Sequence, residues 1–185
     1  MISKIEAANY RCLRGVSQTL ERFHVVAGPN GSGKSTFFEV PKVLSAFGKE
    51  GLPALWEAAN ATRFEELLFL GKGRHFELAV EMEVPSAVRE QAKLNGKGPR
   101  VVRYEIRIGR GADDSDEAPP RILTENLWLL PESGPTPRSE RVQLEMEFPA
   151  VSHPDFTVVR ASVPKGSGWH HRSLHHFAPF VECLC

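Results

Sequence analysis

The chain has 185 residues, 41% of them hydrophobic and 25% charged, as in an ordinary globular protein large enough for one buried core. Its 23 lysines and arginines balance 23 aspartates and glutamates, and this zero net charge argues against wholesale nucleic-acid or membrane binding, though it allows a local basic patch. No signal-peptide core and no run of about 20 apolar residues is present, and three cysteines make no disulfide framework, so we expect a cytoplasmic protein that does not associate with membranes.

Three short strands are predicted ahead of a glycine-rich loop. Apolar alternation or compact apolar runs place them at Ile2–Tyr10, Val16–Leu20 and Phe23–Ala27. The third strand ends directly at Gly28, which opens the loop. A buried strand, a glycine-rich turn and then a helix form the setting in which such a loop binds phosphate.

A helix is predicted to follow the loop, from Lys34 to about Phe47, with Gly48 as its stop. Spacings of three, four and three residues give it one apolar face, made of Phe37, Val40, Leu44 and Phe47. Pro41 lies inside this helix and removes a hydrogen bond at a cost of about 3 kcal/mol. We therefore expect a kink between Phe37 and Pro41, or a break with a second helix starting at the proline.

The next segment predicts a short helix. Thr62 and Glu65 have the spacing of a capping box, so the helix is placed over Phe64–Leu70. Gly71 and Gly73 are expected to end it.

Beyond this helix the apolar residues recur at every second position, which predicts a largely antiparallel series of strands. The first two strands cover 75–84 and 102–108, and the second has Arg103, Glu105 and Arg107 on its polar face. The two arginines of that face are expected opposite Glu77, Glu81 and Glu83 on the first strand. A short helix over Pro85–Asn95 lies between these two strands. An acidic loop over Gly109–Pro120 follows, and further strands are expected at Arg121–Leu130, Arg141–Phe148 and Phe156–Val163. We divide the chain into one domain at 1–164 and an irregular tail at 165–185, for which truncation is one interpretation.

The pattern G-x-x-x-x-G-K-[ST] is met by Gly28, Gly33, Lys34 and Ser35. Glycines leave the backbone N–H groups open to phosphate oxygens, and the following helix adds the positive end of its dipole. Lys34 would reach the β- and γ-phosphates and act in catalysis, and Ser35 would give its hydroxyl to Mg²⁺. The plain alternative is a glycine-rich turn that caps a helix, but a turn does not require the lysine and the hydroxyl in this order. The predicted nucleotide-binding residues are Gly28, Pro29, Asn30, Gly31, Ser32, Gly33, Lys34, Ser35 and Thr36, the last of them for the α-phosphate.

The N-terminal pattern Ile2-x-x-Ile5-x-x-x-Asn9-Tyr10-Arg11, followed by GPNGSGKST, resembles the N-terminal half of ABC-type ATPases of the RecF/SMC/OLD group. More narrowly it resembles bacterial AAA-family (AAA_21-like) ATP-binding proteins. The resemblance covers roughly the first 150 residues. It implies an α/β fold, a P-loop NTPase core of the ABC/RecF-like lobe type with a largely antiparallel β-meander. It also implies ATP and Mg²⁺ as cofactors, and Arg11 near the phosphates or the base; a surface arginine at a strand end is the alternative for that residue.

Several motifs of that family are missing from this chain. These are the LSGGQ-type signature, the Walker B strand ending in Asp-Glu, and the switch histidine. Asp113-Asp114 lies in a polar loop, and Phe180-Val181-Glu182 lacks the aspartate. The expected magnesium-contacting glutamine has three unplaced candidates, Gln18, Gln91 and Gln143. The hydrolytic water therefore has no identifiable general base.

The C-terminal tail contains histidines and cysteines whose spacing matches no familiar zinc motif, namely His171, His175, Cys183 and Cys185. A disordered or frame-shifted end is the interpretation that we favour over a metal site.

Three functions remain open at this point. The first is an ABC-type ATPase half-domain whose complete form dimerises around ATP, often on DNA in repair, chromosome maintenance or phage defence, as the resemblance implies. The second is a nucleotide-binding module without turnover that needs a partner chain for the missing motifs. The third is a small-molecule kinase or a GTPase. The guanine motif N/T-K-x-D is not met by Asn95-Gly96-Lys97-Gly98, and a kinase normally has a parallel sheet and an arginine-bearing lid.

Overall fold

The computed structural model describes residues 1–86, 100–112, 114–130 and 157–160, with backbone alone for 157–160 and for Leu129. Within this part of the chain, six strands and two α-helices are present. The strands are β1 (Ile2–Tyr10), β2 (Leu13–Thr19), β3 (His75–Glu83), β4 (Val101–Gly109), β5 (Arg121–Leu130) and β6 (Thr157–Arg160), and the helices are α1 (Lys34–Glu50) and α2 (Leu52–Ala58).

The six strands form one sheet in the order β2-β1-β3-β4-β5-β6, and every neighbouring pair is antiparallel. This confirms the predicted α/β class with an antiparallel series of strands. β1 and β5 begin and end where the sequence places them, whereas β2 begins three residues earlier than predicted, at Leu13.

The core lies between one face of the sheet and the helix α1. The predicted apolar face of α1 is buried, and it packs with sheet residues such as Ile5, Phe76 and Ile106. Rings of Tyr10 and Phe76 lie 5.3 Å apart at their centroids within this core. The burial of α1 matters for the site, because it fixes the helix whose first turn carries Lys34.

The predicted end of α1 is wrong, and so is the break, which is one of the two alternatives predicted at Pro41. Gly48 is buried inside the helix, and the chain leaves it at Gly51, whose φ of 78° favours glycine and whose N–H donates to Phe47 O at 2.7 Å. Pro41 sits within one continuous helix rather than starting a second one. Packing against the sheet compensates for the hydrogen bond that the proline removes.

The helix α2 was not predicted. It begins directly after Gly51, carries a proline in its first turn and buries Leu55 in the core. At seven residues it is too short for a clear apolar period, so its stability comes from packing rather than from local sequence.

The helix predicted over Phe64–Leu70 is replaced by two 3₁₀ turns, Phe64–Leu67 and Phe69–Gly71. Leu70 has a φ of 54°, which an α-helix does not accommodate. The predicted capping pair is also wrong, because Thr62 N–H donates to Glu66 Oε2 at 2.9 Å. Glu65 instead pairs with Arg110 at 3.1 Å. Gly71 and Gly73 do end this segment, with φ values of 67° and 101°.

The strand predicted at Phe23–Ala27 is absent, and this part of the chain is irregular. Phe23 and Val25 expose 83% and 69% of their surface. Residues 21–27 make no backbone hydrogen bond to any other described residue. A strand requires a neighbouring strand for its N–H and C=O groups, and none of the described strands lies beside this segment.

The opposite face of the sheet carries a buried network of charges. Arg103 contacts three carboxylates, through Nη2 to Glu6 at 2.5 Å, Nη1 to Glu81 at 2.9 Å and Nε to Glu105 at 2.8 Å. Glu105 also accepts hydrogen bonds from Asn126 and Trp128. Of the predicted cross-strand pairs, Glu81 faces Arg103 and Glu77 faces Arg107, but Glu83 faces Val101.

Four predictions lie outside the described residues in whole or in large part. They are the helix at Pro85–Asn95, the strand at Arg141–Phe148, the tail at 165–185 with its histidines and cysteines, and the outer parts of the strand at Phe156–Val163.

Candidate functional site

The glycine-rich loop leads into the first turn of α1. Its residues are mostly exposed, and Ser32 N–H donates to Pro29 O at 3.3 Å, which closes a tight turn inside the loop. Gly31 and Gly33 have φ values of 81° and 92°. Residues with a Cβ rarely adopt this conformation, so the path of the loop depends on the two glycines.

Lys34 is the only side chain that ties the two ends of the loop together among the described contacts. Its ammonium donates to Gly28 O and Pro29 O, each at 2.7 Å, and it lies 3.4 Å from Ser32 Oγ. The ammonium charge is thus held over the loop. A phosphate oxygen that bound there would be a stronger acceptor for it than the two carbonyl oxygens.

The start of α1 offers unpaired donors. The first hydrogen bond in the helix runs from Phe37 N–H to Gly33 O at 2.8 Å, and no side chain caps Gly33. The backbone N–H groups of Lys34, Ser35 and Thr36 make no hydrogen bond to a described residue. The first turn also contains no acidic residue. These donors and the positive end of the helix dipole favour an anion at this position.

The turn between β1 and β2 packs against this start of α1. Cys12 Sγ lies 3.3 Å from Thr36 Oγ1. A Cβ built on Gly33 would approach Leu13 Cδ2 to 3.1 Å and Cys12 Sγ to 3.2 Å. The turn, residues 10–13, is therefore a wall of the loop on its Thr36 side, a contact that nothing in the sequence predicted.

Arg11 lies in this same turn, but it forms no hydrogen bond or ion pair with residues 28–36. Its guanidinium donates to Ala59 O and forms an ion pair with Glu39, with Nε 3.2 Å from Oε1. Arg11 has a φ of 51°, and its N–H donates to Leu67 O at 2.9 Å. Glu39 was not among the predicted residues, because it is 28 positions away in sequence from Arg11 and no local pattern links them.

The donors present fit Mg-ATP in kind. Ser35 is exposed at the helix start and its side-chain hydroxyl has no hydrogen-bond partner among the described residues, so the hydroxyl is free to bind a metal ion. Mg²⁺ takes few protein ligands and draws the rest from phosphate oxygens and water. No group of three or more His, Cys, Asp or Glu side chains in the described part of the chain is suited to hold a metal on its own.

No carboxylate of the described residues forms a hydrogen bond or an ion pair with residues 28–36. Asp114 instead accepts from Gly111 N–H at 2.5 Å and pairs with Arg121, so it stabilises the loop before β5. Gln18 donates to the carbonyl of Thr19 at the far end of β2. The other residues discussed as hydrolytic or magnesium-binding candidates, Asp113, Glu182, Gln91 and Gln143, lie outside the described residues.

No helix in the described part is long and apolar enough to cross a membrane. Neither a family model nor a curated protein sequence matches the chain.

Three solved structures are similar to part of the chain. An SMC ATPase from work on ATP-driven dimerization and DNA-stimulated activation is 21% identical, with 69% of this chain and 68% of that chain covered and a TM-score of 0.44. A SmcHead bound to the C-winged helix domain of ScpA is 20% identical, with 69% and 35% covered and a TM-score of 0.43. An Smc head domain with an extended coiled coil, bound to the C-terminal domain of ScpA and derived from Pyrococcus furiosus, is 21% identical, with 70% and 29% covered and a TM-score of 0.42. The match thus spans only about a third of the length of the last two proteins, and the function proposed below rests on the residues of the loop.

Proposed function

We propose that this chain binds Mg-ATP through residues 28–36. The single observation that carries the proposal is the start of α1, where a lysine ammonium, a free serine hydroxyl and unpaired backbone N–H groups lie together on a glycine-rich loop. Three kinds of phosphate-binding group in one short segment match the chemistry of a nucleoside triphosphate better than that of a plain helix cap.

The roles of the individual residues follow from their order. Lys34 replaces its carbonyl contacts with the β- and γ-phosphates, Ser35 gives its hydroxyl to Mg²⁺, and Thr36 lies at the α-phosphate. When bound, Mg²⁺ neutralises charge between the two terminal phosphates. ATP is proposed ahead of GTP because the sequence lacks the guanine motif.

Binding without turnover is the second part of the proposal. A hydrolytic water requires a carboxylate or an equivalent group to orient it, and no described carboxylate forms a hydrogen bond or an ion pair with residues 28–36. A second copy or a partner chain would supply the missing groups. In this scheme the complete assembly is of the ABC/RecF/SMC type, in which ATP closes two halves around two nucleotides, with DNA as a candidate partner. A P-loop kinase is less well supported, because the described sheet is antiparallel throughout.

Protection of Cys12 tests where the nucleotide binds. Cys12 is exposed and lies beside Thr36, so bound Mg-ATP should cover its thiol. In a Cys183→Ser/Cys185→Ser background, we expect saturating Mg-ATP to slow alkylation of Cys12 by about tenfold or more. The same background with Lys34→Ala should show no protection. Alkylation at one rate with and without Mg-ATP would contradict the proposed position of the ligand.

A further inference from the structure

Glu39 lies on the face of α1 that contacts the β1–β2 turn. It follows Thr36 by three residues, so the two side chains share one side of the helix. Thr36 contacts Cys12, while Glu39 holds the two residues before it. Its Oε1 accepts a hydrogen bond from Tyr10 Oη at 2.6 Å and forms the ion pair with Arg11. The turn is therefore held to α1 by two contacts one helical turn apart, at Thr36 and at Glu39.

The conformation of the turn depends on these contacts with α1. Arg11 has a left-handed backbone conformation, which a residue with a Cβ adopts only when its surroundings impose it. The Tyr10 ring is completely buried and its hydroxyl points at Glu39. Burial and the neighbouring Glu39 carboxylate raise the pKa of Tyr10, so the hydroxyl keeps its proton and remains a donor. Without the carboxylate, the buried Tyr10 hydroxyl loses its acceptor. The half-buried Arg11 guanidinium loses its ion-pair partner and keeps only its hydrogen bond to Ala59 O.

Glu39 is not placed to act on the phosphates. It lies five residues beyond Lys34, which is about 7.5 Å along the helix axis at 1.5 Å per residue. Its side chain is 21% exposed, and the oxygen that faces the turn is engaged by Tyr10 and Arg11. An effect of Glu39 on a ligand therefore has to pass through the turn.

Because the turn contacts the loop at Thr36, it borders one end of the proposed ligand. Lys34 serves the terminal phosphates, whereas Thr36 is at the α-phosphate, where the nucleoside is attached. We propose that Glu39 is a positioning residue that holds residues 10–13 as a wall for the nucleoside end of the nucleotide. This inference rests on the proposed function of the loop.

The proposal predicts that a substitution at Glu39 weakens binding of the nucleoside part of the ligand and leaves binding of the phosphates unchanged. Mg-ATP and Mg-tripolyphosphate are the two probes, since they share three phosphates and differ in the nucleoside. In the full chain, Glu39→Gln should weaken Mg-ATP binding by about tenfold, the usual size of a lost charged hydrogen bond. Mg-tripolyphosphate affinity should stay within about twofold. Tyr10→Phe, which removes only the hydroxyl, should give the same pattern with a smaller loss.

Glu50→Gln at the far end of α1 is the matched control and should change neither affinity. Thermal unfolding of each variant checks that the fold is retained. An equal loss for both probes, or no loss for either, would overturn the role of Glu39 alone. A wild-type chain that binds neither probe would overturn the proposed function itself, so the two failures are distinguishable.

Discussion

Replacing Lys34 with alanine is expected to weaken Mg-ATP binding by at least a hundredfold while the fold is retained. The ammonium is the one cation held over the loop in the described structure, and charge-assisted hydrogen bonds to phosphate are about twice as strong as neutral ones. Loss of two or more such contacts, at about 1.4 kcal/mol per factor of ten, accounts for this size. Equilibrium titration with a fluorescent ATP analogue measures the effect.

Lys42→Ala is the matched control for this prediction. Lys42 lies on the same helix two turns further on, where its ammonium donates to Ala58 O at 3.1 Å. We expect its ATP affinity to remain that of the wild type. If Lys34→Ala binds ATP as tightly as Lys42→Ala, the loop is not the site.

The second large effect concerns stability and is expected at Arg103. Its side chain is 4% exposed and is surrounded by Glu6, Glu81 and Glu105. Arg103→Met would take the arginine away from all three buried carboxylates and leave Glu6 paired with Lys4 alone. Breaking a buried ion pair in this way costs about 3–5 kcal/mol. Urea unfolding followed by circular dichroism measures the loss.

The exposed pair of Arg63 and Glu66 provides the comparison. Its arginine side chain is 77% exposed, so Arg63→Met should change the unfolding free energy by less than about 1 kcal/mol. A loss below about 1 kcal/mol for Arg103→Met would show that the buried carboxylates do not need their cation.

The same network predicts a loss of stability in acid. Burial alone would raise the pKa of Glu6, but Arg103, Ser17 and Lys4 outweigh it and lower that pKa to about 2 from a usual value of 4.5. A lowered pKa stabilises the fold above the unfolded-state value, and this stabilisation is lost as the pH falls from 4.5 towards 2. Glu6→Gln should flatten the decline in that window. Identical pH profiles for the variant and the wild type would exclude this contribution.

Local pattern predicted the parts of the fold whose partners lie nearby or follow a simple period. Alternation predicts β3 and β4, and spacing predicts the apolar face of α1. β1 and β5 also lie where the sequence places them. The predictions that failed share one cause, because each depended on the tertiary surroundings of its segment. Phe23–Ala27 has the composition of a buried strand, but a strand forms only beside another strand, and the sequence cannot show whether one is present.

The candidate site also contains residues that the sequence predicts and residues that it does not. The loop was recognised because its residues are contiguous and each has a reason in phosphate chemistry. Glu39 and Cys12 were missed because their contacts form only when the end of β1 packs against the first turns of α1. Nothing in a single sequence couples positions 11 and 39, so this part of the site required the tertiary structure.

Calorimetric titration of the unmodified 185-residue chain with Mg-ATP, together with an assay of released phosphate, tests the central claim most directly. We predict saturable binding at one site per chain with no phosphate released. Absence of binding would contradict the claim that residues 28–36 form a nucleotide site. Binding with steady release of phosphate would retain the site and contradict the inference that the chain alone lacks a hydrolytic carboxylate.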